Sequence, residues 1–199
     1  MDKVQDNLVA LVGSRICHDL ISPIGAIGNG VELMSMSGAA NGQELALISE
    51  SVANANAQIR FFRVAFGTAS PDQVIGRSEI AGLMADITAG GRLRIDWRVA
   101  ADVRRGEARL ACQVIMCLDS PLPMGGEITV DMDGDGWLLT GRGPKLRIDQ
   151  DKWDIMVNPT LPHDLTAAMV HFGLAPDSAR RLGRSLHTDL GETEISVRF

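Results

Sequence analysis

The sequence predicts an α+β protein: an N-terminal helical hairpin that forms a dimeric four-helix bundle, followed by a two-layer α/β sandwich. Three observations predict it. The first 67 residues carry apolar side chains at helical spacing with no strand-like alternation. From residue 72 onward short alternating runs are interspersed with helical ones. Between the two textures lies a stretch punctuated by Gly67 and Pro71. The expected parts are therefore residues 1–70, a hairpin, and residues 75–199, a sandwich, with the linker around Thr68 to Val74.

The first helix is read from Asn7 to about Met36. Ile16, Leu20, Ile24, Ile27, Val31 and Met34 recur three or four residues apart and lay one apolar stripe along it. Ser35 to Gly42 reads as a turn. In the second helix Leu45, Ile48, Val52, Ala55, Ile59, Phe62 and Phe66 alternate spacings of three and four, a heptad seam. Two helices bury only one face of each, so these apolar positions call for more partners, and a homodimer supplies them.

In the second part, Gly76–Ala89 and Glu107–Leu118 read as helices, and Leu93 to Val99 as a half-buried strand. Gly126–Val130 and Gly136–Thr140 are strands joined through Asp131-Met-Asp-Gly-Asp135, a hairpin signal. Lys145 to Ile148 is expected as a further strand. Leu165–Phe172 and Pro176–Leu186 are expected as helices, the latter starting at its proline. Glu194 to Phe199 alternates again and closes the chain as a strand.

Composition narrows the function. The 199 residues are 45% hydrophobic and 22% charged, which excludes wholesale disorder. No unbroken apolar run reaches the length of a membrane span, so no membrane is expected. A net charge of -6 gives no support to nucleic-acid binding, so no nucleic acid is expected. The arginines at 92, 94, 98, 104 and 105 fall largely on the solvent side of a strand. Cys17, Cys112 and Cys117 are too few for a disulfide framework or a four-ligand zinc site. The opening Met1-Asp-Lys-Val-Gln-Asp-Asn7 lacks a signal pattern, and a cytoplasmic location is expected. Asp131-Met-Asp-Gly-Asp-Gly136 lacks the length and closing glutamate of a calcium loop. No phosphate-binding glycine fingerprint is present. His163-Asp164 and His187 with Asp189 are isolated pairs, too sparse for a metal.

His18 stands apart. At 100° per residue it points about 165° from the apolar stripe, with Ser22, Gly25 and Asn29 within about 40° of it. An exposed imidazole on a small polar strip is open to a docking protein. Pro23 lies inside the periodic run; it removes the hydrogen bond to the Asp19 carbonyl and is expected to bend the helix.

Cys17-His18-Asp19-Leu20-Ile21-Ser22-Pro23 resembles the H-box of two-component histidine kinases. Ser14 to Leu33 as a whole resembles the opening helix of alphaproteobacterial histidine phosphotransferases of the ChpT type. Such proteins join a dimerising hairpin to a degenerate kinase ATP-binding domain. In kinases of this class that domain carries two asparagines four residues apart and an adenine-reading acid. Here Cys117 and Pro121 fall at the asparagine positions, and Thr140-Gly-Arg-Gly-Pro144 offers no acid.

The resemblance implies that His18 is the phospho-acceptor and that Asp19 orients its tautomer. Arg15, Ser22, Gly25 and Asn29 would meet a docking receiver. The implied partners are the receiver domain of a hybrid histidine kinase and the receivers of response regulators. No cofactor is expected on this chain, magnesium being supplied at the partner receiver. Two alternatives stay open at this point: a divergent histidine kinase, and a non-catalytic dimer that binds response regulators.

Overall fold

In the computed structural model, which describes residues 2–37, 42–158 and 165–199, the first two helices are α1 (Asp2–Ser37) and α2 (Gly42–Ala65). They pack along one another as a hairpin. Residues 38–41 of the expected turn, and the His163-Asp164 pair, lie outside the described residues. α1 runs through Pro23 as a single helix. Gly30 packs against α2, where an added Cβ would fall 2.6 Å from Ile48 Cγ1. Glycine there leaves room for the Ile48 side chain against α1.

The hairpin uses half of its seam within the chain. Phe62 is buried and Ile48 and Ala55 are half-buried, while the alternate heptad positions Leu45, Val52 and Ile59 are exposed. On α1, Ile21 and Ile24 are likewise exposed, although Ile24 belongs to the expected apolar stripe. The expectation about membrane spans also needs amending. Asn7–Met34 is long and apolar enough to cross a bilayer by length and composition, with a mean hydropathy of 1.2 over its best window. Arg15, His18 and Asp19 fall inside that stretch, where a bilayer would tax each charge.

The rest of the described chain forms the sandwich. β1 (Val74–Ile75) pairs antiparallel with β3 (Val103–Arg104), a two-stranded piece too short for alternation to reveal. Around it lie α3 (Arg77–Thr88), β2 (Leu93–Trp97) and α4 (Arg105–Asp119). The hairpin β4 (Gly126–Asp133) and β5 (Gly136–Arg142) follows. Its two-residue turn places only Gly134 at positive φ, 57°, the sign pattern of a type II′ turn. The chain ends with α5 (Gln150–Val157), a 3-10 turn at Ala167–Met169, α6 (Val170–Arg181), β6 (His187–Leu190) and β7 (Glu194–Arg198).

The main sheet has the order β2-β4-β5-β7-β6, parallel between β2 and β4 and antiparallel elsewhere. Register sorts its two faces. Trp97, Val130, Leu139 and Val197 form one inward row, and Ile95, Ile128, Gly141 and Ile195 another. α4 packs across β4 and β5, and α3 lies along β2. The outward rows are polar. Arg94, Glu127, Arg142 and Glu194 alternate in sign across four strands, with Arg94–Glu127 at 3.5 Å and Arg142 paired to Glu194. Arg98 pairs with Asp96 at 2.8 Å and with Asp131, so the two arginines that β2 and its end contribute to the sheet face, Arg94 and Arg98, are both paired there.

Three sequence expectations are corrected. Lys145 to Ile148 is not a strand: β7 occupies the position beside β5, and Leu146 and Ile148 pack on the core from an irregular segment. Pro176 does not start a helix. It lies buried inside α6, whose Val170, Phe172, Ala175 and Ala179 pack into the core and hold the helix together across it. The β4 strand extends through Asp133, three residues past its expected end. α5 and β6 had no expectation at all.

The hairpin is tied to the sandwich at the end of α2. The last carbonyls of a helix have no partners of their own. Here Arg105 donates to the carbonyls of Arg63 (2.5 Å) and Thr68 (3.1 Å), Arg109 to Gly67, and Gln113 to Ala65 (2.8 Å). The three donors are spaced four residues apart, on one face of α4, and two carry positive charge toward the negative end of the α2 dipole. Replacing Arg105 removes two of these bonds. Arg105→Ala is expected to lower stability by about 1–2 kcal/mol in urea denaturation, with Arg105→Lys recovering only part because it lacks the fork.

Candidate functional site

The outward strip of α1 holds His18, Ser22, Gly25 and Asn29, and all four are exposed. The His18 side chain is 84% exposed. A Cβ added at Gly25 would meet nothing within 4 Å. A glycine inside a helix costs about 0.5–1 kcal/mol relative to alanine, and no contact within the described chain requires one here. Pro23 and Gly30 lie on the opposite side and are buried.

Asp19 sits one position on, about 100° around the helix, yet its carboxylate reaches back. Oδ1 lies 3.1 Å from His18 Nδ1, a bond in which the ring donates when its proton is on that nitrogen. Oδ2 accepts from Arg15 Nε at 2.6 Å, one helical turn earlier. Arg15 Nη1 in turn donates to the Ala168 carbonyl at 3.0 Å, in the turn that leads into α6. The side chains of Arg15 and Asp19 are only 24% and 19% exposed. Arg15, expected as a contact for an incoming protein, is thus engaged within the chain. Ala168 was not legible in the sequence, because it acts through a backbone carbonyl.

The ground beneath this site is the C-terminal end of α4 and the start of α6. Burial pushes the Asp119 carboxyl pKa up, against the opposing pull of Arg92 and Arg15 and with a further upward push from Asp19. His171, 2% exposed, has neither ring nitrogen hydrogen-bonded among the described residues. Burial, with smaller contributions from Arg15 and Lys152, lowers its pKa from 6.5 to about 3.

At the positions expected for nucleotide-binding asparagines, Cys117 is fully buried and Pro121 is buried. Burial holds the Cys117 thiol well above its ordinary pKa. A cavity of about 640 Å³ opens nearby, lined among others by Ser120, Arg147, Asp149, Lys152 and Trp153. Among the described residues no cluster of three or more His, Cys, Asp or Glu is disposed to hold a metal ion.

A histidine displayed on a helical hairpin, within hydrogen-bond distance of its neighbouring acid and joined to a helix-covered mixed sheet, defines a protein of the two-component phosphotransfer class. The comparisons agree. The histidine phosphotransferase C-terminal domain matches residues 77–194. Protein phosphotransferase ChpT of Brucella abortus (strain 2308) is 32% identical over 148 residues, 71% of this chain and 70% of that protein. A bacterial phosphotransferase solved at 1.7 Å superposes with a TM-score of 0.82 and 27% identity, covering 96% of this chain and 95% of the other. The chain belongs to the histidine phosphotransferase family, proteins of two-component phosphorelays.

The neutral burial of His171 has a consequence for acid stability. Between pH 6.5 and about 3 the ring takes a proton in the unfolded chain but not in the folded one. Its contribution is therefore fully present above pH 6.5 and is lost as pH falls through that window, with a slope approaching about 1.4 kcal/mol per pH unit. His171→Leu is expected to flatten the pH dependence of the urea midpoint across this range.

Proposed function

We propose that His18 carries the phosphoryl group, receiving it from a phosphorylated aspartate on one receiver domain and passing it to an aspartate on another. The single observation behind this is the ring itself: open to solvent on one side and held by Asp19 at Nδ1 on the other. With the Nδ1 proton directed at Asp19, the lone pair of Nε2 is free to attack. The N–P bond forms in line while the P–O bond to the donor carboxylate breaks, and that carboxylate leaves with the bonding pair. The Nδ1 proton passes to Asp19. Transfer to the second aspartate reverses each step. The magnesium of this chemistry belongs to the receiver in this reading.

In the same reading the protein is not an ATP-dependent kinase. The full burial of Cys117 in the core supports it, since that position has no access to a ligand, and Pro121, which lines the neighbouring cavity, has no side-chain group to bind a metal or a phosphate. Ser22, Gly25 and Asn29 give a receiver room over His18, while Arg15 is engaged within the chain by Asp19 and the Ala168 carbonyl. Residues 1–70 act as the phosphotransfer and dimerisation unit, and residues 75–199 add binding surface. A hybrid kinase's receiver and response regulators are the partners, in the cytoplasm.

A second copy of the chain covers the open half of the hairpin seam, Leu45, Val52 and Ile59 of α2 with Ile21 and Ile24 of α1. Packing these residues in a four-helix bundle completes the knobs-into-holes pattern that the heptad spacing starts.

Purified protein mixed with a receiver carrying radiolabelled aspartyl phosphate is expected to gain label, while labelled ATP alone gives none and His18→Ala gains none. Gly25→Leu is expected to fold normally and to raise the receiver concentration needed for half-maximal labelling several-fold. Label from ATP alone would identify a kinase, and receiver binding without transfer would identify a docking protein. In sedimentation equilibrium the wild type is expected as a dimer, and Ile24→Asp combined with Ile59→Lys as a monomer.

A further inference from the structure

Arg15 joins two parts of the molecule that are far apart in sequence. One nitrogen of its guanidinium meets Asp19 on α1, and another meets the carbonyl of Ala168, 153 residues later. Asp19 divides its oxygens in the same way, one toward Arg15 and one toward His18. A chain of three hydrogen bonds therefore runs from the backbone at the start of α6 to the reactive ring. An ordinary i,i+4 ion pair on a helix surface contributes about 0.3–0.5 kcal/mol and orients little. This one differs, because both side chains are largely covered and the guanidinium is anchored at its far end on a fixed carbonyl. A planar fork has the geometry to hold a carboxylate and a carbonyl at once; an ammonium group does not.

Resting on the reading of His18 as carrier, we propose that Arg15 is a positioning residue. Through Asp19 it fixes the tautomer of His18, and through Ala168 it makes that orientation depend on the seating of the second domain against α1. Arg15 is thereby a structural part of the transfer site rather than a contact for the receiver. The charged and titratable groups packed around it fit this role. Asp119 at the end of α4 lies within the field of Arg92, Arg15 and Asp19. His171, buried at the start of α6, is held neutral and adds no cation beside Arg15. Without Arg15, Asp19 would lose the bond that holds its second oxygen, and with it the constraint that keeps the first on the ring.

The test uses the full chain with ¹⁵N-labelled histidine. Multiple-bond proton–nitrogen spectra of the neutral His18 ring report which nitrogen carries the proton, before any phosphoryl group is present. In the wild type the Nδ1–H form is expected to dominate. Arg15→Gln and Arg15→Lys are expected to shift the ring toward the Nε2–H form, and Lys is expected not to rescue. Both are expected to slow transfer at saturating phosphorylated receiver by about tenfold, within the range of a misplaced proton acceptor. The receiver concentration for half-maximal rate is expected to stay within about twofold. Backbone amide spectra establish that each variant is folded, and Asp19→Asn serves as a second route to the same ring shift. An unchanged tautomer in folded Arg15→Gln overturns the proposal. So does a rise in the half-saturating concentration at an unchanged maximal rate, which would make Arg15 a docking contact. Failure of the wild type to take label from any receiver would remove the carrier reading itself, and with it this role, whatever the ring spectrum shows.

Discussion

The end of α2 is the constraint on which the arrangement depends. A helix that stops against another domain leaves carbonyls without partners, and burying them unpaired is costly. α4 answers with Arg105, Arg109 and Gln113, whose spacing of four residues places them on one face. That contact fixes where the hairpin leaves the sandwich. Burial and the neighbouring Arg181 and Arg105 charges lower the Arg109 pKa, which reflects how tightly cations are crowded at this point. With α2 held at its end and α1 held along α2, the face of α1 near residue 15 meets the start of α6. The contacts that link Ala168, Arg15, Asp19 and His18 thus depend on a remote helix cap.

Much of this was legible in the sequence because it is periodic. The two long helices, the heptad seam and the β4–β5 hairpin each repeat a pattern that one element alone determines. His18 was legible for a related reason: it lies opposite the apolar stripe and among unusually small neighbours. Adjacency in sequence pointed to Asp19 as a neighbour of the ring, and its carboxylate does lie 3.1 Å from Nδ1.

What was not legible depends on partners elsewhere in the chain. Lys145 to Ile148 alternates like a strand, but a strand needs a free edge, and β7 had taken it. Pro176 looks like a helix start because propensity is local, whereas the packing of α6 on α4 is not. Ala168 has no side-chain signal to read; it serves through an atom that every residue possesses. The open half of the seam had a sequence signature, yet which half would be left open was set only when α1 chose its face against α2.

The composition of α1 around its histidine carries one more implication. Between residues 21 and 30 the helix contains Pro23, Gly25, Gly28 and Gly30, each a poor helix former, and so its order is borrowed from neighbours rather than intrinsic. Segments of this kind open locally at less than the global unfolding free energy, and amide exchange reads that opening. The displayed histidine therefore stands beside the least self-sufficient stretch of its own helix. The same small residues that keep the outward strip low leave this segment dependent on packing for its order.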